Sequence, residues 1–190
     1  MSDRLGRQLA FLVEADKLKG ILRRTSLMDA SRRENSAEHS WHLVLAALVL
    51  REHASPGLDV IRVLEMLAVH DLVEIDAGDT FAYDAVELVT KSAREIAAAD
   101  RLFGLLPPEQ TAYFRALWEE FEIQQTLEAR FANALDRLQP LLQNAHSGGG
   151  TWRHEGVTRE KVLERMAPIQ REMPDLWPMV TSVIDTFFPV

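Results

Sequence analysis

Apolar residues recur at helical spacing along nearly the whole chain. Leu5, Leu9, Leu12, Val13 and Leu18 predict an amphipathic helix over about residues 5–19. The period then breaks. Residues 22–27 and 31–35 are polar and rich in arginine, which reads as a loop. From about residues 37 to 52 the period returns, with Leu43, Ala46, Ala47 and Leu50 forming a wide apolar stripe. Ser36 is the expected N-cap of this helix, and Glu38 falls in its first turn, where a carboxylate suits the helix dipole. Ser55-Pro56-Gly57 is a turn, and Asp59 can cap a helix through Val60, Val63, Leu64, Leu67 and Ala68 to Asp71 or slightly beyond.

Five further helices follow from the same periodicity. One spans about residues 83–103 with Val86, Val89, Ala93, Ile96 and Ala97 as its core face. The next opens at Pro107-Pro108 and carries Tyr113, Phe114, Leu117 and Trp118. Its acidic end, Glu119, Glu120 and Glu122, reads as a solvated face. A third runs over about residues 126–143, with Leu127, Phe131, Leu135, Leu138 and Leu142 aligned. After Ser147-Gly148-Gly149-Gly150, too short to link domains, Thr158 caps another, and a last helix occupies about residues 174–188. No stretch alternates with period two. The expectation is an all-α fold of seven or eight helices in one domain over residues 1–190, with a core at about 24–144 and C-terminal helices at about 158–188 packed on it.

Composition narrows what such a bundle can do. At 190 residues the chain can bury a substantial core, and it has no cysteine, so there is no disulfide, thiolate nucleophile or cysteine metal site. A net charge of −8 argues against binding a nucleic-acid polymer, though not against a small phosphate ester held by one or two arginines. No apolar run is long enough for a membrane span and the N-terminus lacks a signal-peptide core, so a soluble, cytoplasmic protein is expected.

Polar residues placed on the apolar faces carry the chemistry. His70 and Asp71 close an apolar helix, and Glu74 returns to the face of His70 at i+4. His39 sits on the buried side of its helix, with His42 nearby at i+3, and Asp136 borders the stripe of another. Each alone fits a buried, hydrogen-bonded polar group. Together, His39, His70, Asp71 and Asp136 supply two imidazoles and two carboxylates, a set that holds one divalent ion and leaves positions for water and substrate. Glu74 is then placed to act as general base. The donor set suits Mn, Co, Mg, Fe, Ni or Zn without selecting among them.

The motifs Glu38-His39-Ser40-Trp41, His70-Asp71-Leu72-Val73-Glu74 with Gly78-Asp79-Thr80, and Leu135-Asp136-Arg137-Leu138, in that order, resemble the HD-domain superfamily of metal-dependent phosphohydrolases. Within it the chain is most similar to the small branch that includes the 5'-deoxynucleotidases, over about residues 24–137. The resemblance implies a helical HD fold and one divalent metal on His39, His70, Asp71 and Asp136. It implies release of phosphate from deoxyribonucleoside 5'-monophosphates by attack of a metal-bound water, in a homodimer. Glu74 would activate or orient that water, Asp79 would hold the sugar or the leaving oxygen, and Arg24 would contact the phosphate. Where family members often carry an aromatic shortly after that arginine, this chain reads Thr25-Ser26-Leu27. Two other readings stay open: a different HD reaction on a phosphodiester or nucleoside triphosphate, or a non-catalytic helical module stabilised by metal.

Overall fold

A computed structural model describes residues 3–81, 83 and 85–189, with the side chains of 85–88 outside the description. The chain is helical: α1 (Asp3–Ala15), α2 (Ser36–Leu50), α3 (Val60–Val69), the single turn α4 (Glu74–Ala77), α5 (Ala85–Phe103), α6 (Pro108–Ile123), α7 (Leu127–His146), α8 (Arg159–Glu172) and α9 (Trp177–Phe187). α7 lies at the centre, packed by α2, α3 and α6 on one side and by α8 on the other. Its inward residues Phe131, Leu135 and Leu141 are fully buried, against Leu43 of α2, Met66 and Leu67 of α3 and Ile169 of α8 in the same core. Burial of such side chains contributes roughly 1.5–3 kcal/mol each relative to exposure.

The arginine-rich segment is not a loop. Leu22–Ser26 (β1) and Arg33–Asn35 (β2) pair antiparallel, with Leu22 opposite Asn35, Ser26 opposite Arg33 and an irregular register between. Strand alternation sends Arg23 and Thr25 inward and leaves Leu22 and Arg24 exposed. A hydrophobic scan misses this pair because its inward positions are polar.

Helix ends depart from expectation in ways that matter for the site. Asn35, not Ser36, caps α2: its side chain accepts from the Glu38 amide while Glu38 reaches back to the Asn35 amide. That releases the Ser36 hydroxyl for another partner. α3 ends at Val69, and His70–Val73 forms a 3₁₀ turn before α4. The tighter winding lets His70, Asp71 and Glu74 line one cavity.

Two predicted core faces also shift. In α5, Val89 is 83% exposed and Ile96 43%, while Ala98, Ala99 and Leu102 are buried together with Glu95. Val86 and the expected helix start beside Tyr83 lie at or beyond the edge of the described residues. In α1, the stripe of Leu5, Leu9, Leu12 and Val13 faces outward, and Phe11 is the buried residue, edge-on to Phe114 of α6.

Candidate metal centre

Three elements bring the polar side chains together. His39 enters from the second turn of α2, His70 and Asp71 from the 3₁₀ turn after α3, and Asp136 from the middle of α7. His39 Nε2 lies 2.9 Å from Asp136 Oδ1, and His70 Nε2 lies 3.1 Å from Asp71 Oδ1. Ligand atoms of His39, His70 and Asp136 all fall within 4.8 Å of one another. Asp71 is adjacent, with Oδ2 3.9 Å from His39 Nε2, but that oxygen is engaged by Arg23 Nη1 at 3.0 Å.

Which ring nitrogens carry hydrogens follows from their outer partners. His70 Nδ1–H donates to the Leu67 carbonyl at 3.0 Å, so Nε2 is bare; it is buried and has no hydrogen-bond partner. Gln139 donates its amide to Glu34 Oε1 at 2.7 Å, which turns its own Oε1 toward His39 Nδ1 at 3.0 Å. His39 Nδ1–H therefore donates to Gln139, and His39 Nε2 is bare as well. Both imidazoles thus present lone pairs to carboxylate oxygens, which also present lone pairs. At the contact of His39 Nε2 with Asp136 Oδ1 two acceptors meet with no hydrogen between them, and a cation is what such a point fits.

The profile of the HD domain family matches residues 15–177. The chain belongs to the HD-domain family. Among curated proteins it is 30% identical to the 5'-deoxynucleotidase HDDC2 of Bos taurus over 143 residues, covering 73% of this chain and 68% of that one. It is 30% identical to the 5'-deoxynucleotidase HDDC2 of Homo sapiens, where the match spans 60% of this chain and 55% of the relative. Among solved structures, a "predicted metal-dependent phosphohydrolase" of Magnetospirillum magnetotacticum superposes with a TM-score of 0.91 at 52% identity, covering 96% of this chain and 92% of that one. A conserved hypothetical protein of Pyrococcus furiosus shares the fold at a TM-score of 0.67 and 24% identity, over 92% and 98% of the two chains.

The electrostatics of this HD site match the donor geometry. Burial, reinforced by Arg23, holds the His39 imidazolium down at about 3, and burial also lowers His70, so both rings are neutral near pH 7. Burial works against charge on Asp136, but Arg137, whose Nη1 donates to Asp136 Oδ2 at 2.8 Å, and the neighbouring His39 and His70 together outweigh it and keep this carboxylate ionised. Burial pushes Asp71 up to about 8 despite Arg23. Glu74 is likewise pushed up to about 8, by burial first and then by Asp71. Neutral imidazoles and crowded carboxylates are the condition a dication relieves.

The remaining predicted residues fall around this cluster. Glu74 is buried and its Oε2 accepts from the Ser36 hydroxyl at 2.6 Å. Gly78, at a φ of 76° that favours glycine, turns the chain so that Asp79 Oδ1 lies 3.8 Å from Arg23 Nη1 at the cavity wall. Arg24 does not line the metal cavity; it borders a neighbouring cavity walled by Phe81, Tyr83 and Trp152, and Arg23 takes the inward position. Glu122, read as part of a solvated face, lines the metal cavity, where burial raises its pKa. Sequence reasoning missed Gln139 and Asn133, although their i+3 and i−3 spacing from Asp136 marks the same face of α7. It also missed Arg165 of α8, for which no local signal exists.

Proposed function

We propose that this HD domain is a metal-dependent phosphomonoesterase that releases phosphate from deoxyribonucleoside 5'-monophosphates. The observation that carries this reading is the convergence of two bare imidazole nitrogens and the Asp136 carboxylate beside the buried Glu74. The naming of the HDDC2 relatives as 5'-deoxynucleotidases supports the choice of substrate.

His39, His70 and Asp136 would hold the ion, with Asp71, now paired with Arg23, as the adjacent fourth ligand. A divalent ion held there lowers the pKa of water and offsets the charge of a phosphoryl group. Ser36 fixes one oxygen of Glu74, leaving the other to take the proton of the attacking water. Arg137 holds the outer oxygen of Asp136, so its inner oxygen faces the imidazoles. Asp79 and Thr80 stand in the wall shared by the metal cavity and the aromatic one, where Asp79 can hold a sugar hydroxyl. Phe81, Tyr83 and Trp152 form a surface on which a base can pack, and Arg24 stands at that same cavity.

The protein works as a homodimer through the outer face of α2. From Leu43 to Leu50 that helix is apolar on all sides, and Trp41 is 65% exposed, Val49 60% and Leu48 46%. Light scattering checks this, and a Leu48→Glu protein should shift to monomer.

The substrate is tested by phosphate release from the five deoxyribonucleoside monophosphates, the ribonucleotides and bis-p-nitrophenyl phosphate, with Mn, Co or Mg supplied. Turnover of deoxynucleotides well above ribonucleotides is expected. Bound metal without turnover of any monophosphate would overturn the reading.

A further inference from the structure

Three arginines ring the metal cavity, and they are not equivalent. Arg23 is paired with Asp71 at 3.0 Å and lies 3.6 Å from Glu34. Arg137 is paired with Asp136 at 2.8 Å. Arg165, on the inner side of α8, has no carboxylate within ion-pair distance among the described residues, and its guanidinium instead faces the Tyr83 ring at 6.0 Å from the centroid. It is half-buried; burial, then repulsion from Arg137, pulls its pKa down to about 10. With no ion-pair contact of its own, this guanidinium keeps its donors free, and an arriving anion would offset its repulsion from Arg137. Its position is equally specific. Arg165 lines both the metal cavity and the aromatic cavity, in the wall they share with Asp79 and Thr80.

A second donor aims at the same space. Asn133 of α7 is 2% exposed, lines the metal cavity, and its Nδ2 has no acceptor among the described residues. A buried amide donor without a partner costs about 1–3 kcal/mol, which a ligand oxygen would recover.

We infer that Arg165 is the principal phosphate-binding side chain of this protein, taking the phosphoryl group of a monoester from the side opposite the histidines, with the Asn133 amide as a second donor. A planar fork of N–H groups matches phosphate oxygens in pairs. A phosphate in the metal cavity then has its ester oxygen directed through the shared wall, so that the organic group enters the aromatic cavity. The C-terminal helices would therefore supply a binding residue rather than only packing. This rests on the phosphomonoesterase reading for its substrate, but not for its anion.

The test is calorimetric titration of inorganic phosphate into the Mn-loaded full chain, wild type against Arg165→Gln and Arg165→Lys, alongside metal content and steady-state phosphate release. Arg165→Gln should weaken phosphate binding at least tenfold and raise KM for a deoxynucleotide, with metal content unchanged. Arg165→Lys should recover part of the phosphate affinity, since it restores charge without the fork, and it serves if the glutamine variant misfolds. Phosphate affinity within twofold of wild type in a folded variant overturns the inference, as does failure of the wild type to bind phosphate. If phosphate binds in an Arg165-dependent way while no nucleotide is hydrolysed, this inference stands and the proposed substrate fails.

Discussion

Replacing Gln139 with leucine tests whether His39 is held as a metal ligand or as an ordinary buried hydrogen-bonding residue. Gln139 is 2% exposed and spans two partners, accepting from His39 Nδ1 and donating to Glu34 Oε1. Leucine fills similar volume without either bond. The His39 proton is then free to move to Nε2, where it would donate to Asp136 Oδ1 across the existing 2.9 Å gap and occupy the position of the ion. Loss of such an outer partner costs about 10–100-fold in metal affinity, which is roughly 1.4–2.7 kcal/mol. Leaving buried Glu34 without its amide donor costs a further ~1–3 kcal/mol of stability. Gln139→Glu separates the two effects. It keeps an acceptor for His39 Nδ1–H but sets a second carboxylate against Glu34, so metal affinity should hold while the melting temperature falls. Competition against a fluorescent chelator gives the affinity, and melts in EDTA give the stability. Wild-type metal affinity in a folded Gln139→Leu protein would refute the tautomer assignment, and with it the claim that His39 presents a bare nitrogen to the ion.

Two further outcomes follow from the same geometry. Glu74→Gln keeps the shape of the side chain and its contact with Ser36 but removes the base; turnover should fall about 10²–10⁴-fold with metal content unchanged, and equal loss of both would place Glu74 among the ligands. In metal-free protein, Asp71 and Glu74 hold their protons up to about 8, so their contribution to stability is present at low pH and is lost as pH rises from the unfolded carboxylate range toward 8. His39 and His70 act in the opposite sense, favouring the fold above about 6.5 and losing that contribution as pH falls. The two effects offset each other in mildly acidic solution, and between about pH 6.5 and 8 the carboxylates dominate. Melts in EDTA should therefore drop across that window, while metal-loaded protein should not; a flat metal-free profile would show that the carboxylates are not desolvated as the structure has them.

The polar cluster of the candidate site was legible because its members sit where a helical period demands apolar residues. His39, His70 and Asp136 each interrupt or border a stripe, and a polar group there needs a partner that the sequence order makes findable. What escaped has different physical origins. Arg23 and Arg24 are adjacent and chemically identical, and only strand alternation decides which faces the acids; a three-to-five-residue pair with polar inward positions leaves no period-two apolar signal. Ser36 looked like a cap because it opens α2, yet Asn35 closes the capping box and Ser36 turns to Glu74. Arg165 lies 29 positions beyond Asp136, on a helix whose packing against α7 is a tertiary fact. Val89 shows the converse: helical spacing identifies a stripe without saying that the stripe is the buried face.

The charge lining the metal cavity bears on which phosphate ester the site can take. Asp71, Glu74, Asp79, Glu95, Glu122 and Asp136 face it, against the cations Arg23, Lys91, Arg137 and Arg165. Lys91 is paired with Glu95 at 3.0 Å, Arg23 with Asp71 and Arg137 with Asp136. That leaves Glu74 and Glu122 without an ion-pair contact and Asp79 3.8 Å from Arg23; with every group ionised, six carboxylates against four cations leave an excess of two negative charges, which one dication offsets. A monoester dianion then shifts the cavity by two charges, with Arg165 available to meet it. A triphosphate brings about twice that charge into the same enclosed space, with no further unpaired cation among the described lining residues. A phosphodiester carries a single charge and is electrostatically tolerated, but its second organic group needs a second apolar recess. The aromatic recess behind the shared wall, formed by Phe81, Tyr83 and Trp152, accommodates one such group. The balance of charge favours a monoester over a triphosphate, and the aromatic recess beside the shared wall suits the one organic group a monoester carries.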